Sequence, residues 1–438
     1  MMLVPSEKVC VIGIWHLGAV YSACLADLGC SVVGVDSDQQ RIMALNQGIP
    51  PLFEPGLEDM LSANLEAKRI RFTADMAEGV KGARYVIIAF DTPVNDQDEV
   101  DLSRIWEVCG QLAGQLQNES IVIVSSQVPV GTGGQMKRLI AQGCPSIKFD
   151  LACSPENLRL GQAIARFKTP DRVVIGADDP DTLDQVERLF SVIPAPKIRM
   201  DLRSAEMVKH ATNAFLATCI SFGNEIANLC DEVGADALKV VAALQTDERI
   251  GPKLPLRPGL GFAGGTLARD LNILKKLGDE AGCDTPIVDG VIAVNQRQNQ
   301  VVTRKLMKAF GSLEGRTIGV LGLTYKAGTS TLRRSSAIEI IQDLSSRGAK
   351  ILAFDPKADI EEVNQHTEFQ RCSDPYQVAK GADALVLVTD WPEFKGLDYA
   401  RIKRLMKNPL LIDARNMLDG EKLSRIGFTY SGIGRGAR

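Results

Sequence analysis

The sequence predicts an α/β protein with two doubly wound, mainly parallel sheets and a helical segment between them. Three observations carry this prediction. Short apolar strands alternate with helices up to about residue 200, no convincing strand occurs from about 204 to 310, and the alternation starts again at residue 316. Strands that alternate with helices favour a parallel sheet that is covered on both faces. We therefore expect three parts, residues 1–200, 201–310 and 311–438.

Size and composition agree with a multidomain globular protein. The 438 residues exceed what one core fills, since single cores stop growing near roughly 250–300 residues. The net charge of −4 lacks the basic surplus of a nucleic-acid binder. Ten cysteines without a CxxC pair and only three histidines favour a cytoplasmic protein with reduced thiols and no metal site. No apolar run reaches the ~18–20 residues that span a bilayer, so we expect no membrane partner.

The first part is predicted to contain five strands, at residues 8–13, 31–36, 85–90, 121–125 and 173–175. Each is a short apolar run rich in β-branched residues. Residues 16–29 have helical character between the first two strands. The two prolines within residues 193–197 interrupt the pattern and mark the first boundary.

The middle part is predicted to be helical over residues 204–233 and 286–310, because apolar residues recur there at helical spacing. Residues 251–265 between them are rich in proline and glycine, and a long loop inside a compact domain is often functional. In the last part, strands are expected from residue 317 and at 350–355, 384–389 and 410–413, with a helix at 335–346.

The first strand ends in Gly13-Ile-Trp-His-Leu-Gly18, which has part of a dinucleotide-binding fingerprint. Trp15 stands where the fingerprint has its middle glycine, so the motif alone is weak. The context supports it, because a strand precedes it, a helix follows, and Asp36 ends the second strand. An acid there can accept hydrogen bonds from an adenosine ribose and repels a 2′-phosphate, so NAD is favoured over NADP. The alternative is an ordinary strand–turn–helix with incidental glycines.

Three further motifs follow strands of the first sheet, at residues 91–93, 125–132 and 154–157. The carboxyl ends of parallel strands are where ligands bind in such sheets. Proline and glycine in one such motif can be turn chemistry alone. Three in succession favour a ligand crevice.

A polar stripe lies on the first long helix of the middle part. Glu206, Lys209, His210 and Asn213 recur at i, i+3, i+4 and i+7 and so share one face. The stripe could be an ordinary solvated face. Alternatively, Lys209 could join Asp270 and Glu156 in a cluster that polarises an alcohol and passes on its proton.

Taken together, the motifs resemble the UDP-glucose/GDP-mannose dehydrogenase family. The resemblance rests on residues 11–18, 126–132, 154–161, 205–225, 249–251, 261–270, 322–326, 355–356, 382–394 and 413–416. It implies two Rossmann-like domains joined by a helical domain that dimerises. It also implies oxidation of the C6 alcohol of a nucleotide-hexose, here a UDP-hexose, to a carboxylate with two reductions of NAD.

The resemblance also implies roles for individual residues. Lys209 and Asn213 would stabilise the oxyanion at C6, Asp270 would assist proton transfer, and Glu156 would act as acid/base or order the hydrolytic water. Arg249 would reach the nucleotide-sugar, either within its own subunit or across a dimer interface. The expected catalytic residues are Lys209, Asn213, Asp270, Glu156 and Thr266. The expected cofactor-binding residues are Gly13, Trp15, His16, Leu17, Gly18, Asp36, Thr92, Pro93, Ser126 and Arg334. The expected substrate-binding residues are Glu156, Asn157, Leu158, Lys209, Asn213, Arg249, Phe262, Gly264 and Lys326.

The match to the family fails at the nucleophile. The family has Gly-Phe-Gly-Gly-Ser-Cys-x-Pro-Lys-Asp, whereas this chain has Gly-Phe-Ala-Gly-Gly-Thr-Leu-Ala-Arg-Asp at 261–270, so Thr266 takes the place of the cysteine. A hydroxyl has a far higher pKa than a thiol and is a weaker nucleophile without a base. Gln127 also replaces a family threonine. Cys153, Cys219 or Cys283 could substitute, although each is more simply interpreted as an apolar core residue.

Three functions remain open from the sequence. The first is an NAD-dependent oxidoreductase that oxidises a sugar alcohol of a UDP-hexose without a thioester. The second is an epimerase that oxidises the sugar transiently and retains NAD. The third is a nucleotide-sugar-binding homologue with impaired catalysis. A homodimer or a higher homo-oligomer is expected for each.

Overall fold

The structure is a computed structural model that describes residues 7–90, 92–94, 100–155, 158–359 and 368–436. The chain forms two compact units, Met1–Ala211 and Thr212–Arg438. The first unit contains an eight-stranded sheet, and the second contains a six-stranded sheet together with most of the helical segment. Among the described residues, no helix is both long and apolar enough to cross a membrane.

The first unit alternates strands and helices along its whole length. Its elements are β1 (Lys8–Ile12), α1 (His16–Asp27), β2 (Ser31–Val35), α2 (Gln39–Leu45), α3 (Leu57–Glu66), β3 (Ile70–Thr73), α4 (Met76–Val80), β4 (Tyr85–Ile88), α5 (Ser103–Leu112), β5 (Ile121–Val124), α6 (Thr132–Gly143), β6 (Asp150–Cys153), α7 (Ala163–Lys168), β7 (Val173–Ala177), α8 (Pro180–Leu189) and β8 (Lys197–Met200). The strand order is β3-β2-β1-β4-β5-β6-β7-β8, and only the β6–β7 pair is antiparallel.

Both faces of this sheet are covered, as its composition requires. Successive side chains of a strand point to opposite faces. Val9 and Val11 of β1 therefore belong to one buried cluster, and Cys10 and Ile12 belong to another. A strand that is apolar on both faces is stable only between two layers of helices.

The second unit begins within the long helix α9. Its elements are α9 (Leu202–Val233, which starts in the first unit), α10 (Ala237–Leu244), α11 (Thr266–Ala281), α12 (Pro286–Gln298), α13 (Val301–Phe310), β9 (Thr317–Leu321), α14 (Ser336–Ser346), β10 (Lys350–Phe354), β11 (Gln370–Arg371), α15 (Pro375–Ala379), β12 (Ala384–Leu387), a 3-10 turn (Pro392–Gly396), α16 (Tyr399–Leu405), β13 (Leu410–Asp413), α17 (Gly420–Ile426) and β14 (Thr429–Gly432). The order β11-β10-β9-β12-β13-β14 repeats that of the first six strands of the other sheet.

The predicted fold class is confirmed, with two parallel-sheet, Rossmann-like regions and a helical middle. Residues 204–310 contain no strand, as expected. Two details differ. The prolines at 193–197 do not end the first sheet, because β8 follows them and pairs in parallel with β7. The single helix expected over 286–310 is two helices, α12 and α13.

Candidate active site

The turn after β1 has the geometry that a dinucleotide fingerprint needs. Gly13 has a φ of +90°, and its N–H donates to the Val35 carbonyl at 2.8 Å. A Cβ on Gly13 would lie 2.5 Å from the Cβ of Phe90, and a Cβ on Gly18 would lie 2.0 Å from the Gly13 carbonyl oxygen. Only glycine fits either position. The turn and the close approach of α1 to it are therefore those of a dinucleotide site.

Asp36, at the end of β2, completes this fingerprint. Its carboxylate is 5% exposed and accepts from the Ile14 N–H at 2.8 Å. Arg41 forms an ion pair with it at 2.9 Å and stacks 4.9 Å from the centre of the Trp15 ring. Trp15 itself is half exposed at the start of α1. The side chain at the middle-glycine position therefore lies beside Arg41, and the carboxylate ends the strand at which Rossmann folds in general recognise an adenosine ribose.

His16 and Leu17 open α1 with different surroundings. The Leu17 side chain is buried in the core of the first unit. The His16 ring lies 2.9 Å from the carboxylate of Glu54, a buried acid that sequence reasoning missed. Glu54 stands in an isolated Phe-Glu-Pro-Gly turn without helical or strand periodicity, so no sequence signal marked it.

Hydrogen bonds join the loop after β4 to the loop after β5. The Ser126 hydroxyl donates to the Phe90 carbonyl at 2.6 Å and accepts from the Phe90 N–H at 3.1 Å. The Thr92 hydroxyl donates to the Gln127 carbonyl at 2.7 Å. Pro93 beside it is exposed. Because the two hydroxyls are buried and bonded to backbone, they shape the edge of the expected cofactor site.

The polar stripe on α9 is not a solvated face. Glu206 is 3% exposed and accepts from the N–H groups of Gly131 and Gly133 at 2.6 and 2.7 Å. His210 is fully buried, and its Nε2 lies 2.8 Å from the Val128 carbonyl. Burial raises the pKa of the Glu206 carboxyl, and the two backbone N–H groups oppose that rise. The stripe therefore fixes the loop between β5 and α6.

The cysteines nearest to the expected chemistry are not activated. Cys153 ends β6 and is buried, and burial raises the pKa of its thiol well above the usual value. The negative charge of Glu206 adds to this rise, and the positive charge of half-buried Lys209 only partly opposes it. Burial also raises the pKa of the Cys219 thiol. Neither residue is a thiolate at neutral pH.

In the second unit, the structure brings together three of the expected catalytic residues. Asp270 lies on α11 and is fully buried, and the side-chain amide of Asn213 on α9 donates to its carboxylate. Thr266 is the exposed first residue of α11. It lies one turn before Asp270, and residues four apart share a helix face. A hydroxyl at a helix start thus accompanies a buried acid–amide pair.

The glycine-rich loop before α11 is held from two sides. The backbone N–H of Phe262 donates to the Asn295 side chain at 2.8 Å, and the Asn295 amide donates back to the Phe262 carbonyl at 3.2 Å. The N–H of Gly264, where φ is +77°, donates to the Arg334 carbonyl at 3.2 Å. Arg334, expected to bind the cofactor, therefore lies against the glycine loop. Asn295 was missed because nothing in its helical sequence context distinguishes it.

Two expected substrate residues have exposed side chains. The Arg249 side chain is 87% exposed and pairs with Asp247 at 2.7 Å. Lys326 is exposed in the turn after β9. The substrate-binding roles of both residues stay predictions.

The motif after β6 is described only in part. Glu156 and Asn157 lie outside the described residues. Leu158 is half-buried and packs against the core of the first unit. The predictions for all three residues stay predictions.

Comparison with known proteins identifies the family. Three family models match in succession: the UDP-glucose/GDP-mannose dehydrogenase NAD binding domain at residues 7–193, the central domain at 203–297 and the UDP binding domain at 319–420. The UDP-glucose 6-dehydrogenase of Rhizobium meliloti (strain 1021) is 38% identical over 98% of this chain and 99% of its own. The chain belongs to this family.

Further relatives agree. The UDP-glucose 6-dehydrogenase TuaD of Bacillus subtilis (strain 168) is 36% identical over 98% of this chain and 94% of its own length. The structure of a UDP-glucose dehydrogenase from Pyrobaculum islandicum has a TM-score of 0.87 and 31% identity over 99% of both chains. The expected family and cofactor, NAD, are confirmed, as is the class of enzyme, an NAD-dependent nucleotide-sugar dehydrogenase.

Proposed function

We propose that the chain oxidises the C6 alcohol of a UDP-hexose to an aldehyde with NAD and forms no protein thioester. The observation that carries this proposal is the start of α11, where Thr266 precedes the Asp270–Asn213 pair by one turn. The pair supplies groups for alcohol oxidation, and a hydroxyl stands where the thiol is expected. Relatives named UDP-glucose 6-dehydrogenase make UDP-glucose the first substrate to test.

Each residue of the proposed site has a defined task. Bound NAD supplies the hydride acceptor. Asn213 uses one N–H of its amide on Asp270, so the second can be directed at the sugar oxygen. The Lys209 ammonium stabilises the same oxygen as the hydroxyl loses its proton, and Asp270 assists that transfer. The alcohol thus loses one hydride and one proton, which yields the aldehyde, NADH and a proton.

The second oxidation needs a group that the site does not supply. A thiolate would capture the aldehyde as a thiohemiacetal, which can donate a second hydride. Of the ten cysteines, only Cys283 is exposed. It follows the end of α11 opposite to Thr266, and that helix of 16 residues is about 24 Å long at 1.5 Å per residue. Without a thiolate, the acid can form only if the aldehyde takes up water and the hydrate then gives a second hydride to another NAD, which is slow.

Product stoichiometry tests the proposal. The full chain is incubated with NAD and UDP-glucose, and both NADH and the product mass are measured. We expect one NADH per sugar for the wild type and for Thr266→Ser, and a second for Thr266→Cys, whose thiol would stand at a helix start that favours a thiolate.

Other outcomes overturn the proposal. Two NADH per sugar from both the wild type and Thr266→Ala would show that no nucleophile is missing. A changed sugar without net NADH would identify an epimerase. Binding without turnover would identify an impaired homologue.

The surface of α9 supports a homodimer. Phe215, Phe222 and Leu229 are each at least half exposed and recur every seven residues. Positions seven apart drift by only about 20° on a helix, so the three form one apolar stripe. We infer that a second copy of this chain covers it, since a stripe on one helix can pack against itself about a two-fold axis.

The dimer is tested by mass measurement in solution. Phe222→Glu places a charge in the stripe and is expected to give monomers. Met43→Glu, at a residue 59% exposed on α2, is the matched control and is expected to leave the dimer intact. A monomeric wild type would contradict the inference.

We also propose the three-part division at residues 1–200, 201–310 and 311–438 and a cytoplasmic location. All ten cysteines are unpaired and nine are buried, which supports a reducing compartment.

A further inference from the structure

Glu54 is a buried carboxylate that joins two segments far apart in the sequence. It is 3% exposed. One carboxylate oxygen accepts from the Gly161 N–H at 2.7 Å, and the other accepts from the Ala163 N–H at 2.7 Å. The oxygen that accepts from Gly161 also lies 2.9 Å from Nε2 of His16. A buried carboxylate is retained only where such partners compensate its lost hydration.

These bonds replace a cap that α7 lacks. Gln162, the residue before α7, makes no side-chain hydrogen bond to the helix start. The first N–H groups of a helix have no partner within the helix. Glu54 satisfies the Ala163 N–H, and it also fixes the Gly161 turn, where φ is +83°.

The loop before α6 is held in the same way. Gly131, the residue before α6, gives no side-chain cap, and buried Glu206 accepts from Gly131 and Gly133 instead. Two of the loops that follow strands of this sheet thus lead to a helix start that a distant glutamate caps. The two glutamates differ in one respect: Glu54 also contacts the turn after β1, through His16.

We propose that Glu54 is a positioning residue for nucleotide-sugar binding, which fixes the backbone that follows Leu158 and ties it to the turn after β1. It acts through the N–H groups of Gly161 and Ala163 and touches no substrate. The proposal rests on the proposed function, because the resemblance to the family is what assigns substrate contact to Leu158.

The test substitutes the carboxylate by an amide. In Glu54→Gln, one acceptor becomes an NH2 donor that faces a backbone N–H. Glu58→Gln is the matched control, since Glu58 is exposed four residues further along the chain. We expect UDP-glucose to bind Glu54→Gln about tenfold more weakly than Glu58→Gln, as judged by calorimetry on the full chain without NAD, since a hydrogen bond to a charged group is lost.

Hydrogen exchange supplies a second measurement, on the wild type and on the variant. Saturation of the wild type with UDP-glucose is expected to slow exchange of the Gly161 and Ala163 amides, and Glu54→Gln is expected to speed it. Faster exchange with unchanged affinity would reduce Glu54 to a structural role and overturn the proposal. So would wild-type exchange that UDP-glucose does not alter.

Failure of the proposed function gives a different result. A wild type that binds no UDP-sugar at all would refute both proposals. A wild type that binds UDP-glucose and a Glu54→Gln variant that binds it equally well would refute the role of Glu54 alone.

Discussion

The turn after β1 and the turn after β9 share one backbone construction. Gly13 and Gly322 have φ values of +90° and +92°, and the N–H of each donates to the carbonyl that ends the neighbouring strand at 2.8 Å. The acid that follows that strand, Asp36 or Asp355, accepts from the residue after the glycine at 2.8 or 2.7 Å. The same strand order around them completes the likeness.

The two acids differ in what else they bind. Asp355 also accepts from the N–H and hydroxyl of Thr324 and from the indole N–H of Trp391, both buried. Asp36 has the partly exposed Arg41 instead. The helix after the first turn begins at once, at His16, whereas α14 begins 14 residues after Gly322, at Ser336. We therefore expect the turn after β1 to be a ligand turn, whereas the turn after β9 is a structural lock formed by the hydrogen bonds to Asp355.

Burial and hydrogen bonding act in opposite directions on the Asp355 carboxyl. Burial alone would raise its pKa, but the backbone N–H groups of Thr324, Leu323 and Lys357 and the indole of Trp391 together lower it below its usual value. The ionised form is therefore favoured in the folded protein. A ribose would find its acceptor oxygens already occupied.

The largest expected effect tests the shared backbone. Gly322→Ala would place a Cβ 2.6 Å from the backbone nitrogen of Thr389, in a φ region that alanine rarely adopts. Together, strain and overlap are expected to lower the free energy of unfolding by about 3 kcal/mol, and Gly13→Ala should cost a similar amount. Gly29→Ala, with φ of +102° but no atom within 4 Å, is the control and should cost about 1 kcal/mol in urea denaturation. An equal loss in free energy of unfolding for all three variants would show that close packing around Gly322 and Gly13 contributes nothing.

The next largest effect tests whether Asp355 stabilises the fold, as expected for the structural lock after β9. Asp355→Asn removes the negative charge that hydrogen bonds from four residues stabilise. We expect the free energy of unfolding to fall by about 2–3 kcal/mol at pH 7. Because the folded pKa lies below the unfolded one, this stabilisation is present above about pH 4 and is lost as the pH falls further. Urea denaturation of the wild type and of Asp355→Asn should show that their difference in free energy of unfolding decreases from pH 7 to pH 3. A difference that does not depend on pH would contradict the role of the charge.

Cofactor affinity tests the other half of the comparison. Asp36→Asn is expected to weaken NAD binding about tenfold, because a neutral amide is a poorer acceptor for ribose hydroxyls. Asp355→Asn is the matched variant and should leave NAD affinity unchanged. Calorimetry with NAD decides, and a loss of affinity in Asp355→Asn would show that the second turn also serves the cofactor.

The smallest effect concerns one donor of the lock. Thr324→Val keeps the shape of the side chain and removes the 3.1 Å hydroxyl bond to Asp355. The expected loss in free energy of unfolding is about 1 kcal/mol. The midpoint of urea denaturation measures it, and no change would show that the remaining hydrogen bonds to Asp355 suffice.

Much of the fold could be predicted because local patterns encode it. The glycines at 13 and 18 and the acid at 36 lie within one strand–helix–strand unit, so their spacing and that local context together indicated their roles. Asn213 and Asp270 are 57 residues apart and were associated only by resemblance to the family, yet the structure joins them directly. The Thr266 hydroxyl was likewise placed by that resemblance.

The rest depends on contacts that local sequence does not encode. Glu54 meets Gly161 across 107 residues, and neither position has a periodic neighbourhood. The stripe on α9 contains Glu206 and His210, and polar residues on a helix are mostly solvated. Their burial follows from partners on another loop, which helical spacing does not reveal. The strand β8 follows two prolines, and proline signals an interruption without telling whether a strand resumes after it.

The distant glutamate caps also bear on the order in which the protein is made. Glu206 emerges from the ribosome 73 residues after Gly133, whose N–H it holds. At about 5–20 residues per second, the start of α6 waits roughly 4–15 s for its cap. Glu54 has the opposite timing, since it is synthesised 107 residues before Gly161. During translation, therefore, we expect the loop before α7 to form its hydrogen bonds to Glu54 as soon as it is synthesised. The loop before α6 can form its bonds to Glu206 only after α9 has begun to form.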